Sequence, residues 1–133
     1  MRTLADHAHW VNTIALSTDY ILRTGPFAPS DPTPALTAPF AELQSLALNR
    51  YKKHTATSPE VIITGSDDHT LFLWPDQAAE GEAGKKKAVT RMTGHQKQVN
   101  HVAFSPDGRF VASAGFDNAV KIWEGKTGKC VSS

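Results

Sequence analysis

The chain of 133 residues is poor in the groups that carry redox or metal chemistry. Cysteine occurs once, at Cys130, so no internal disulfide can form and a reducing compartment fits. That residue is expected to pack in a terminal strand. No apolar run approaches the roughly 20 residues of a membrane span. Met1-Arg2-Thr3, with Asp6 and His7 close behind, lacks the order of a signal peptide. An intracellular protein without membrane contact is expected. A dominant charge is lacking too: 14 Lys and Arg stand against 13 Asp and Glu, for a net charge of +1. No global field therefore steers the chain to a polyanion or a membrane. The balance is uneven, with five basic and seven acidic residues over 1–75 and nine and six over 76–133. A glycine-rich phosphate loop is missing. His7, His9, His54, His69 and His101 have neither cysteine partners nor a ligand spacing, so no metal or other cofactor is expected.

What is present is a repetition. Thr64-Gly65-Ser66-Asp67-Asp68-His69-Thr70-Leu71-Phe72-Leu73-Trp74 is matched by Ser113-Ala114-Gly115-Phe116-Asp117-Asn118-Ala119-Val120-Lys121-Ile122-Trp123. Each copy has a hydroxyl residue, an Asp after it and then a Trp, at the same spacing. Ahead of the second copy come Gly94-His95, a strand pattern over 99–104 and the turn Ser105-Pro106-Asp107-Gly108. Further strands are expected over 89–92, 110–113, 119–123 and 129–132. Along 99–104, simple alternation places Val99, His101 and Ala103 on one face and Asn100, Val102 and Phe104 on the other. Short strands with regular turn signals predict an all-β chain.

The first copy holds the same parts pulled apart. His7 and the run Trp10-Val11-Asn12-Thr13-Ile14-Ala15-Leu16 stand where His95 and residues 99–104 stand in the second. Ser17-Thr18-Asp19 takes the place of the turn, and the next strand begins only at Val61. The intervening segment, residues 20–59, carries six prolines, Pro26, Pro29, Pro32, Pro34, Pro39 and Pro59, which argue against sheet and for a surface excursion. One helix is expected inside it, over 39–53, with Thr37 as a cap and Pro39 in the first turn. Its apolar stripe comprises Phe40, Leu43, Leu46, Ala47 and Arg50–Tyr51. That stripe either packs on the chain's own flank or binds a partner; Phe40, Leu43 and Leu46 are the partner-binding candidates. Residues 75–87 read as a solvated loop, whose Lys85, Lys86 and Lys87 are a second candidate contact, for phosphates.

His, Ser or Thr, and Asp invite a catalytic reading. The alternative is a chain of hydrogen bonds, from Trp indole N–H to hydroxyl, hydroxyl to imidazole, and imidazole to carboxylate, that leaves buried polar groups satisfied. Its members are His7, Thr64, Asp68 and Trp74 in one copy and His95, Ser113, Asp117 and Trp123 in the other. A nucleophilic site has no use for the indole, and an enzyme needs one site rather than one per repeat. No catalytic residue and no enzyme activity are expected. Asp67 is placed in the turn beside Asp68, and Phe72, Phe116 and Trp10 are expected in core packing, with contact near the blade edges as the alternative.

These motifs resemble the WD40 repeat, one blade of a β-propeller, and so imply WD40 blades of four antiparallel strands. The division implied is a blade with its insertion over 1–75, a linker over 76–87, and a second blade over 88–133 with the outer strand of a next one. The run from His9 to Tyr20, then Leu22-Arg23-Thr24-Gly25 and a long insertion, is similar to the Notchless family. So are residues 65–74 and Arg91-Met92-Thr93-Gly94-His95-Gln96. That resemblance implies a non-catalytic interaction scaffold in large ribosomal subunit assembly, in the nucleus and nucleolus. Its partners would be pre-60S ribosomal proteins and, further, ribosomal RNA. The family's amino-terminal ubiquitin-like domain, which engages the AAA-type ATPase midasin, has no counterpart in these residues, so midasin contact is not expected from them.

Two blades are fewer than the four or more of a closed propeller, so other blades are expected partners. These belong either to a longer chain or to further copies, four of which would give eight blades. The outer strands for such pairing are residues 2–5 and 129–132. Two alternatives to the ribosomal reading remain: a WD40 adaptor in signalling or ubiquitin ligase recruitment, and an engineered two-blade unit that closes a propeller by self-assembly.

Overall fold

The computed structural model describes residues 3–4, 6–27, 38–75, 85–86 and 90–133. Its strands are β1 (Thr3–Leu4), β2 (Val11–Leu16), β3 (Val61–Ser66), β4 (Thr70–Pro75), β5 (Lys85–Lys86), β6 (Thr90–Thr93), β7 (Val99–Phe104), β8 (Phe110–Gly115), β9 (Val120–Glu124) and β10 (Cys130–Ser132). Among the described residues two helices, α1 (Asp19–Thr24) and α2 (Phe40–Thr57), lie between β2 and β3. The strands form two four-stranded antiparallel sheets, ordered β2-β3-β4-β6 and β7-β8-β9-β10. These are two blades of a β-propeller. A separate pair, β1 with β5, is parallel.

Sheet membership is offset by one strand from the sequence repeat. β6, which the sequence suggests as the opening strand of the second unit, hydrogen-bonds to β4 and completes the first sheet. β10 likewise closes the second sheet against β9 rather than starting another. β1 is not the outer strand of a blade either, because its partner is β5. An outer strand that comes from the start of the next repeat ties consecutive sheets together covalently.

The sheets pack face to face. Ile63, Leu71, Leu73 and Met92 of the first meet Val99, Val102, Val111 and Trp123 of the second in one buried cluster. Burying each such side chain contributes about 1.5–3 kcal/mol. Polar contacts cross the same seam: the Asn12 Nδ2 amide donates to the Val99 carbonyl at 3.2 Å, and the Val102 N–H to Thr13 Oγ1 at 3.3 Å. Simple alternation fails in β7. A register shift between Val99 and His101 lets Val99 and Val102 face the core together, and leaves His101 exposed.

The insertion leaves the sheet without disturbing it. In the second sheet, Ser105 closes the β7–β8 turn: its N–H donates to the Phe110 carbonyl at 2.9 Å, and its Oγ accepts the Phe110 N–H at 3.0 Å. Ser17 and Val61 make the same pair of bonds, at 2.9 and 3.0 Å. The excursion therefore stands where Pro106-Asp107-Gly108-Arg109 stand in the second sheet. The Thr18 hydroxyl donates to Glu60 across its root, and Ser17 and Thr18 are buried.

Beyond that root the structure differs from the expected extended chain. Asp19–Thr24 is helical, with Asp19 pairing Arg23 one turn on at 2.9 Å. α2 runs to Thr57 rather than ending near residue 53, because no Pro or Gly interrupts it before Ser58-Pro59. Pro39 is its N-cap, in extended conformation, and its carbonyl accepts the N–H groups of Glu42 and Leu43. Thr37 lies outside the described residues. Arg50 holds the arm together: its guanidinium donates to the carbonyls of Gly25, at 2.5 Å, and Phe27, just past the end of α1. A cation at a helix carboxyl end satisfies carbonyls left without partners.

The close approach of the sheets leaves Gly65 no room for a side chain. A Cβ there would lie 2.8 Å from Val99 Cγ1 and 2.9 Å from Thr13 Cγ2. Gly65→Ala is expected to lower stability by about 1–3 kcal/mol in a thermal melt; an unchanged midpoint would contradict the packing.

Candidate functional site

In the first sheet the Trp74 indole N–H, which can only donate, lies 2.9 Å from Thr64 Oγ1. The Thr64 hydroxyl must then spend its own proton elsewhere, and His7 Nε2 is 2.7 Å away. That leaves Nδ1 as the N–H of the ring, 3.0 Å from Asp68 Oδ2. The second sheet repeats the relay. Trp123 N–H to Ser113 Oγ and Ser113 Oγ to His95 Nε2 are both 2.8 Å, and His95 Nδ1 is 3.0 Å from the Asp117 carboxylate. All eight residues singled out from the sequence fall into these two clusters. Each relay spans the loop before the inner strand, the second strand, the following turn and the third strand.

Each carboxylate is also the keystone of a turn. Asp117 accepts the Gln96 N–H at 2.9 Å and the Ala119 N–H at 3.3 Å. Asp68 accepts the Ala8 N–H at 3.1 Å, the Thr70 N–H at 2.9 Å and the Thr70 hydroxyl at 2.5 Å. The next residue in each turn, His69 or Asn118, has positive φ, at 66° and 59°. The Gln96 N–H, ahead of burial in the opposite sense and of the His95 and Ala119 bonds, takes the Asp117 carboxyl down to about 2. Burial pushes the Asp68 carboxyl up, but the Thr70 hydroxyl, His7 and the N–H groups of Ala8 and Thr70 together bring it to about 2.

No hydroxyl in these clusters is free to attack a substrate, since each is engaged by an indole and an imidazole. Asp67 stands apart from Asp68, accepting from the Asn12 amide and lying 3.5 Å from His9. Among the described residues no group of three or more His, Cys, Asp or Glu could hold a metal ion.

The other candidates scatter. Phe40 is 75% exposed, one turn ahead of the packed stretch of α2, while Leu43 and Leu46 are half-buried. Lys85 and Lys86 form β5, and Lys87 lies outside the described residues. Phe72 is buried against the His7 ring, with centroids 4.6 Å apart. Trp10 and Phe116, expected in packing, are instead 77% and 58% exposed, at the end of the sheets that carries the relay turns. Cys130 is exposed rather than packed, because β10 is an outer strand.

Sequence reasoning missed a cleft at the opposite end, between the end of α2 and the β7–β8 and β9–β10 turns. It has a volume of about 420 Å³ and is lined by His54, Ser58, Asp107, Arg109 and Lys126, among others. The Asp107 and Arg109 turn was legible, but its pairing with α2 depends on where the insertion folds back.

The model of the family described as "WD domain, G-beta repeat" matches residues 86–124. The chain is 47% identical, over 98% of its length, to Ribosome assembly protein 4 of Saccharomyces cerevisiae. It is 49% identical over 80% of its length to Protein Notchless of Drosophila melanogaster. It is 48% identical over 68% to the Notchless protein homolog of Arabidopsis thaliana. The chain is a WD40 repeat protein that resembles the Notchless family. It spans 24%, 21% and 18% of the length of these three relatives.

The relay carboxyls give a pH signature. Their folded values near 2 lie below the ordinary 3.8, so their stabilising effect is whole above about pH 3.8 and is lost as pH falls towards 2. Melts by circular dichroism across that window should show falling stability, with a shallower fall in Asp68→Asn. Equal slopes in the two proteins would contradict the assignment.

Proposed function

We propose that the chain is a non-catalytic protein-interaction scaffold acting in assembly of the large ribosomal subunit, in the nucleus and nucleolus. The observation that carries this reading is the 47% identity to a ribosome assembly protein over 98% of the chain, a match long enough to take in the inserted arm. The arm is what distinguishes this chain from a plain pair of blades. Both relays join strands and turns and leave no reactive group unengaged, which supports a structural role for all eight residues. Partners on this reading are pre-60S ribosomal proteins, with ribosomal RNA as a further contact. An affinity-tagged form of the protein is expected to co-purify with precursor RNA of the large subunit. Recovery of signalling or ubiquitin ligase components without that RNA would favour an adaptor instead.

Other propeller blades complete the set. The far face of the second sheet presents Phe110, Ala112, Ala114, Val120 and Ile122, with Val120 58% exposed. On the far face of the first sheet, Phe72 and Trp74 are already buried. A ring of identical copies needs two complementary open faces, and among the described residues the first sheet's far face is closed at Phe72 and Trp74, leaving Ile14 beside them 62% exposed. The isolated chain is therefore expected not to form a four-copy ring; a discrete mass of four protomers by light scattering would contradict this.

A further inference from the structure

The cleft at the end of α2 is continuous with a second of about 470 Å³, which shares His54, Ser58 and Asp107 with it. Together they make a groove between the inserted arm and the turns of the second sheet. We propose that this groove receives an acidic, partly apolar peptide segment of a partner protein. The inference takes the class of partner from the scaffold reading, and it does not depend on the ribosomal assignment.

Charge carries the argument. The carboxylates in the groove are already used: Asp107 accepts the Ser105 hydroxyl at 2.5 Å and the Arg109 N–H at 3.1 Å, and Glu124 accepts the Thr127 hydroxyl. Hydrogen bonding from Ser105, then Arg109, also holds the Asp107 carboxyl below its usual range, so it stays an occupied acceptor. Among the cations, Arg50 is spent on the carbonyls of Gly25 and Phe27, but the two lysines are not used. Lys53 and Lys126 line the groove, are exposed, and make no ion pair among the described residues. Arg109 lies 5.7 Å from the centre of the Phe110 ring. Donors without acceptors in a concave site call for carboxylates from outside.

Shape and polarity favour peptide over nucleic acid. Ile21, Pro59, Val61 and Phe110 give the groove apolar walls suited to aliphatic side chains. A nucleic-acid strand takes much of its affinity from bases stacked on aromatic rings, and Phe110, with Arg109 5.7 Å from its centre, is the one phenyl ring lining the groove. His54 adds a further point: its Nδ1 is sealed from water and has no hydrogen-bond partner. Such an orphan is costly.

The test is an NMR titration of the 133-residue chain with a blocked octapeptide alternating Asp and Leu, and separately with a twelve-residue oligouridylate. The peptide should shift the amides of Gly108, Arg109 and Gly125 and the His54 ring, leaving Gln96 and Gln98 at the other end unmoved. Lys53→Glu combined with Lys126→Glu should weaken the peptide at least tenfold. Lys53→Gln with Lys126→Gln, checked for a dispersed spectrum, serves should charge reversal prevent folding. The proposal is overturned if the oligouridylate moves these signals and the peptide does not, if neither does, or if the folded variants bind the peptide unchanged. Loss of precursor RNA in co-purification would instead count against the ribosomal reading alone.

Discussion

Four side chains drawn from separate parts of a blade meet in one hydrogen-bonded line, and the rest of the blade is arranged around it. An indole N–H has a single direction in which to donate, and this fixes the sense of every later bond through hydroxyl, imidazole and carboxylate. Each bond contributes about 1 kcal/mol net, but a missing member strands its neighbour in a dry site at about 1–3 kcal/mol. The relay therefore acts as an interlock more than as a sum of bonds. Its carboxylate end also sets the turn between the second and third strands, where His69 and Asn118 take up positive φ. In the second blade the Trp123 end reaches the core between the sheets, so blade geometry and sheet packing are held by the same residues.

The relays were legible because their spacing survives insertion. Asp follows the hydroxyl residue, and Trp follows Asp, at fixed intervals within one hairpin, whatever happens before it. The sheet assignment of β6 and β10 was not legible in the same way: a repeat read from the sequence says which strands recur, and hydrogen bonding decides which sheet they join. The bulge in β7 defeated alternation for a local reason, since one added residue moves Val102 to the side of Val99. Trp10 and Phe116 were misread because aromatic character suggests a core, whereas both sit beside turns at a sheet end. The helix α1 was hidden by proline counting, as the prolines of the insertion begin only after it ends.

The insertion shows how a repeat acquires an individual surface at little cost to its frame. Ser17 and Val61 reproduce the bonds of Ser105 and Phe110, so the sheet is blind to the residues between them. Arg50 then folds the arm on itself by gathering the carbonyls beyond α1. The arm's far end meets the turns of the neighbouring blade, and a concave site arises between two pieces that neither blade alone would make. The blade supplies the rigidity that keeps the addition in place.

Three tryptophans allow the interlock to be read directly. Trp74 and Trp123 donate their indole protons within the relays, and Trp10 stands exposed as an internal reference. Hydrogen exchange of the three indole N–H groups, followed by NMR on the intact chain, should show two slow signals and one fast. Substitution of His95 by Ala should speed exchange at Trp123 well ahead of Trp74. Three indoles exchanging alike, or no change at Trp123 in the His95→Ala protein, would contradict the account.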